Sequence, residues 1–108
     1  MSAALPVVAA GRLFDPQQPQ SLRLDSPAWF AWLDAPTTTR FAYPLDDRQL
    51  GYSVGRLTVR REQRRRGGHY WMAYQRHQGQ LHKVYLGCSA TVTAARLAEV
   101  ASAVLRRW

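Results

Sequence analysis

The chain has 108 residues, 46% hydrophobic and 20% charged, with a formal net charge of +8. That suffices for one domain with a modest core and is too apolar for a disordered chain. No stretch is long enough to cross a bilayer as a helix, and a lone cysteine, Cys88, excludes an internal disulfide framework or a Cys-rich zinc site.

Residues 1–24 carry Gly11, Pro16 and Pro19 and the polar run from Gln17 to Ser21. They read as a flexible lead, with room for a short extended piece at Val7–Val8. The first ten residues lack a basic region and an unbroken apolar run, so they make a poor secretory signal, and a cytoplasmic protein is expected. Residues 25–108 read as a single α+β nucleic-acid-binding domain. Ser26 can cap a helix with Pro27 at its first position, and Trp29, Trp32 and Leu33 share one face. Pro36 should end it.

Thr37–Tyr43 is β-rich, with Thr39, Phe41 and Tyr43 on one side; Pro44–Gly55 reads as a polar loop. Three strands should follow. In Arg56–Gln63, Leu57 and Val59 oppose Arg56, Thr58, Arg60 and Glu62. A basic turn, Arg64-Arg65-Arg66-Gly67-Gly68, leads to His69–His77, where Trp71 and Ala73 oppose Tyr70, Met72, Tyr74 and Arg76. Gln78-Gly79 is a tight turn into Gln80–Gly87, where Val84 and Leu86 oppose Leu81, Lys83 and Tyr85. Thr93 can cap a last helix of about four turns, with Val92 and Leu97 as a hydrophobic staple. Its apolar stripe is Leu97, Val100, Ala101, Val104, Leu105 and Trp108, and Arg106 and Arg107 fall in its last turn.

The expected fold is therefore α+β: an antiparallel three- to four-stranded sheet, a C-terminal helix packed on one face and a short N-terminal helix. That packing leaves the other sheet face bare. Charge is just as uneven. Residues 1–54 hold four arginines against five aspartates, whereas residues 55–108 hold eleven basic residues against Glu62 and Glu99. Such asymmetry points to a polyanionic partner. The candidate nucleic-acid contacts are Arg56, Arg60, Tyr70, Tyr74, Arg76, Lys83 and Tyr85 on the bare face, with Arg64, Arg65 and Arg66 of the turn on phosphates. The competing account is that tyrosine and arginine merely keep a strand surface soluble. A further alternative places the Trp29/Trp32 helix over this face, which would move binding to the loops.

The stretch Gly68–Arg76, a turn, Lys83–Gly87 and a Thr-led, Ala-rich helix resembles the three-stranded-sheet-plus-helix DNA-binding module of tyrosine-recombinase N-termini (arm-site binding) and plant ethylene-response factors. The resemblance implies a strand face that enters the major groove. Arg76, Lys83 and Tyr85 match its reading positions; Tyr70 and Tyr74 match face positions that vary; Trp71, Val84 and Leu86 match core positions. Over roughly residues 26–108, the order Ser26–Leu33, Phe41, Thr58–Gly68, Tyr70-Trp71 and Leu81–Gly87 is similar to a segment ahead of large ATP-dependent LuxR-like bacterial regulators. This implies a regulatory setting. The sequence departs from both in carrying no ATPase, helix-turn-helix or recombinase catalytic domain.

Enzymatic readings find little support. His69 and His77 would lie roughly 25 Å apart along a strand. His77 and His82, facing each other across the hairpin, would lack a third metal ligand. Cys88 has no base assigned to it, and no paired-carboxylate arrangement is visible. No catalysis, cofactor or metal is expected. The expected function is non-catalytic binding of double-stranded DNA by a bacterial transcriptional or mobile-element regulator, as a monomer or homodimer away from membranes. The alternatives are a protein-interaction module using Trp29, Phe30 and Trp32 or the basic face against a regulatory partner, and an RNA or single-strand binder.

Overall fold

Alternation of apolar and polar residues from 56 to 87 produces the antiparallel meander that the pattern dictates. The computed structural model describes residues 5–47 and 51–107. Its elements are β1 (Val7–Ala9), β2 (Arg12–Phe14), β3 (Leu22–Arg23), α1 (Pro27–Asp34), β4 (Arg40–Asp47), β5 (Tyr52–Gln63), β6 (His69–His77), β7 (Gln80–Gly87) and α2 (Ala94–Leu105), with a 3₁₀ turn at Ser89–Thr91. The strands form one sheet in the order β3-β2-β1-β4-β5-β6-β7. Neighbours are antiparallel except β1 and β4, which meet in parallel at Val7 and Ala42. The fold is α+β as expected, but the sheet has seven strands and is mixed, not three- to four-stranded and antiparallel.

The extra strands come from two places. Residues 1–24, expected as a flexible lead, supply β1 to β3 among their described residues. Each strand is too short to show a period, yet Val8, Leu13 and the following Leu24 are buried. The β1–β2 connection is Ala10-Gly11, both at positive φ (52° and 75°), as a two-residue hairpin turn requires. The supposed loop from Pro44 to Gly55 also contributes: β4 runs through Pro44 to Asp47, and β5 begins at Tyr52. Pro44 is tolerated because its missing N–H would point away from β5. The Ala42 N–H, two residues earlier on that side, donates to Pro6 O at 2.8 Å, and β1 pairs no further along β4.

Both helices cover the same sheet face. Trp29 stacks on Trp32, both rings meet Phe41 edge-on, and Phe41 meets Trp71, with centroid separations of 5.4–5.9 Å. Trp29 also donates from Nε1 to Val92 O at 2.9 Å, joining α1 to the segment that enters α2. Ser26 accepts from Trp29 N and Thr93 from Arg96 N, so both predicted caps are formed. Asp25 Oδ1 takes the Ala94 N–H at the start of α2. Val92 and Leu97, the expected staple, are fully buried. The last helix is shorter than four turns: it ends at Leu105, Arg106 is its cap and Arg107 lies beyond it. Trp108 lies outside the described residues. At the end of β7, Gly87 holds φ 94°, and a Cβ there would come within 2.9 Å of Thr91 Oγ1, so only glycine fits this exit. No described helix is long and apolar enough to cross a membrane.

Arg61 stands third in the row Leu57, Val59, Arg61 on the covered side of β5. Its guanidinium donates to Leu33 O, Ala35 O and Pro36 O at 2.9–3.2 Å. These carbonyls lie in the last turn of α1, at its cap and one residue beyond, and the cation sits at the negative pole of the helix. An eight-residue helix is not stable alone, so this clamp and the tryptophans fix it. Arg61→Met, which keeps much of the apolar stem, is expected to destabilise the protein by about 1.5–3 kcal/mol in denaturant unfolding. An unchanged midpoint would show that the clamp contributes nothing.

Candidate nucleic-acid interface

The face opposite the helices is assembled by cross-strand register. Arg40 on β4 lies beside Arg60 on β5, Arg60 beside Met72 on β6, and Met72 beside Tyr85 on β7. One row along, Ala42, Thr58, Tyr74 and Lys83 are neighbours. Arg56 lies beside Pro44, and Arg76 beside Leu81. Arg56, Arg60, Arg76, Lys83 and Tyr85 are exposed, and Tyr70, Met72 and Tyr74 half-buried. The seven strand residues expected on the bare face are therefore brought together there, and α1 does not cover them.

The cations are not equivalent. Tyr74 lies between two of them, with the Arg60 guanidinium 5.5 Å and the Lys83 ammonium 5.8 Å from its ring centroid. Its hydroxyl donates to Glu62 Oε1 at 2.5 Å. Arg64 folds back over Tyr70 at 4.9 Å and donates to the Tyr85 hydroxyl at 2.7 Å, while the Tyr70 and Tyr85 rings lie 5.6 Å apart. Arg64 thus braces the aromatic corner, whereas Arg65 and Arg66 stand exposed in the turn. At the other end of the face a groove of about 720 Å³ is lined by Arg40, Arg56, Arg60, Arg76 and Lys83, with Val54, Leu81 and Tyr74 in its walls. No carboxylate lines it among the described residues.

Sequence reasoning did not include Arg40. Alternation places it opposite Phe41, but nothing local shows that its strand borders Arg60. Gln75 was also unassigned. It shares the covered side with Trp71 and Ala73, is 5% exposed, and its Oε1 has no hydrogen-bond partner.

Of the histidines, His77 lines the groove, whereas His69 and His82 do not. His82 sits beside Gln75, not His77, whose partner is Gln80. His69 Nε2 lies 3.3 Å from Ser89 Oγ and 3.4 Å from Asp34 Oδ1, while Ser89 donates to Asp34 at 2.6 Å and accepts from Trp71 Nε1 at 3.1 Å. These are the residue types of a hydrolase triad without its geometry. One imidazole nitrogen faces both partners, and the serine proton already points at the carboxylate. The arrangement ties the end of α1 to β6 and the 3₁₀ turn. Among the described residues no group of three or more His, Cys, Asp or Glu could hold a metal ion. No family model, curated protein or solved structure matches the chain.

The bond to Glu62 is the main cause that raises the Tyr74 phenol above its ordinary 10.0; burial and the Glu62 charge add to it, and Arg60 opposes. A raised folded-state value favours the neutral phenol. Its contribution to stability is present below about pH 10 and is lost as pH rises through the folded value. Glu62→Ala is expected to lower the Tyr74 titration midpoint, followed through the ring resonances by NMR. An unmoved midpoint would show that the bond is absent in solution.

Proposed function

We propose that this chain binds double-stranded DNA through the open sheet face, without acting on it chemically, as a cytoplasmic bacterial transcriptional or mobile-element regulator. The observation that carries the reading is the one-sided sorting of charge. Arg40, Arg56, Arg60, Arg76 and Lys83 share the face that neither helix covers. The carboxylate beside them, Glu62, is committed to Tyr74. Phosphate neutralisation needs such a surface, and tyrosines add sugar and base contacts.

Sheet width supports a particular mode. From β4 to β7 the strand axes span about 14 Å, against about 12 Å for the major groove. The four-strand face therefore meets the duplex across its backbone, whereas the free-edge strands β5–β7, about 10 Å across, are narrow enough to enter a groove. Protein binding through Trp29 and Trp32 is disfavoured, because both rings are spent in the core.

Fluorescence anisotropy with a mixed-sequence 20-bp duplex, the matching single strand and an RNA duplex tests the reading. If four phosphates are neutralised, duplex affinity should fall about a hundredfold between 50 and 200 mM salt. Arg76→Ala with Lys83→Ala should weaken it further. Absence of duplex binding at low salt would overturn the proposal, and tighter binding to the single strand or RNA would replace the duplex.

A further inference from the structure

The groove at the β4–β7 end of the open face holds cations that the fold itself does not use. Arg61 clamps α1, Arg64 donates to Tyr85, and Arg96 bonds Glu99 and the Tyr85 carbonyl. The guanidinium groups of Arg40, Arg56 and Arg76, by contrast, make no hydrogen bond or ion pair among the described residues. Arg40 moreover faces Arg60 directly across the β4–β5 pair. Like charges in directly opposed positions destabilise a sheet, and five cations around one concavity repel one another. An anion in the groove would remove that repulsion.

We propose that the groove seats one sugar–phosphate strand of the bound nucleic acid, with Arg40, Arg56 and Arg76 neutralising its phosphates. This rests on the nucleic-acid reading above and assigns the residues that hold the backbone. Arg56 and Arg60 are four residues apart on one strand, about 14 Å by strand rise. At 3.4 Å per nucleotide along a duplex axis, that length matches about four nucleotides of one strand. The Thr58 hydroxyl can donate to a phosphate oxygen. Val54 and Leu81 supply apolar wall for sugars. Arg64 falls outside the assignment because its guanidinium is already engaged.

The test measures affinity of the full chain for a fluorescein-labelled 20-bp mixed-sequence duplex across salt concentrations, with the matching single strand and inorganic pyrophosphate as competitors. Arg40→Gln, Arg56→Gln and Arg76→Gln should each reduce the slope of log K against log[salt] by about one, weakening binding about eightfold at 0.1 M salt. Arg64→Gln should leave the slope unchanged. The unliganded Arg40→Gln protein should melt no lower than the parent, since it loses only repulsion. If the parent binds duplex but Arg64→Gln lowers the slope as much as the other three, or those three leave it intact, the groove assignment is overturned while duplex binding stands. If single strand binds with the same mutational pattern and duplex does not, the groove assignment holds and the duplex reading fails. Complete displacement by low concentrations of pyrophosphate overturns the strand assignment in favour of a small phosphate ligand. Binding to neither nucleic acid overturns both readings.

Discussion

Four aromatic rings decide which side of this molecule is free. Trp29 and Trp32 come from α1, Phe41 from β4 and Trp71 from β6, and they meet at centroid separations of 5.4–5.9 Å. Three of them are fully buried. Each such ring removes a large apolar area from water, and edge-on contacts add about 0.5–1.5 kcal/mol per pair. Because Trp29 also bonds the carbonyl of Val92, α1 and the approach to α2 are fastened to the same side of the sheet. With both helices held there, β4 to β7 present their other face to solvent. The candidate interface exists only because of that asymmetry.

Net charge is a poor guide to which cations act. Part of the excess is structural: Arg61 completes α1, Arg64 braces two tyrosines, and Arg96 bonds Glu99 and the free edge of β7 at the Tyr85 carbonyl. That last contact, with a register shift opposite the same strand, also makes the edge a poorer template for pairing with another chain. Other cations sit where they stabilise nothing within the fold. Arg40 is the clearest case: it faces Arg60 across the β4–β5 pair, and the sheet would lose only repulsion if Arg40 were neutral. Cations kept at a site that the free protein does not need are what a polyanion-binding surface requires.

The sequence announced elements wherever a period had room to develop. β6 and β7 span the residues that alternation marks out, and the caps Ser26 and Thr93 act as their side chains suggest. The misses are equally physical. β1 and β2 each bury a single residue, Val8 or Leu13, so no pattern exists to detect, and their turn uses Ala10 where Asn, Asp or Gly would have signalled a hairpin. Pro44 reads as a strand breaker unless the direction of its missing N–H is known, which is a tertiary fact. At the site, alternation alone sorted Arg56, Arg60, Arg76 and Lys83 onto one face. It could not show that Arg64 folds back on Tyr70, because that contact crosses a turn. Arg61 did leave a trace: an arginine in line with Leu57 and Val59 on the covered side implies a buried acceptor, here the end of a helix.

The most direct measurement is a residue-resolved footprint. Amide and side-chain shifts of isotopically labelled protein would be followed by NMR while a 20-bp duplex is added at low salt. The account predicts perturbations along Arg56–Glu62, Tyr70–Arg76 and Leu81–Tyr85, with those at Arg40 among the largest and the helices α1 and α2 silent. Shifts concentrated on the helical side, or scattered evenly over the molecule, would contradict it.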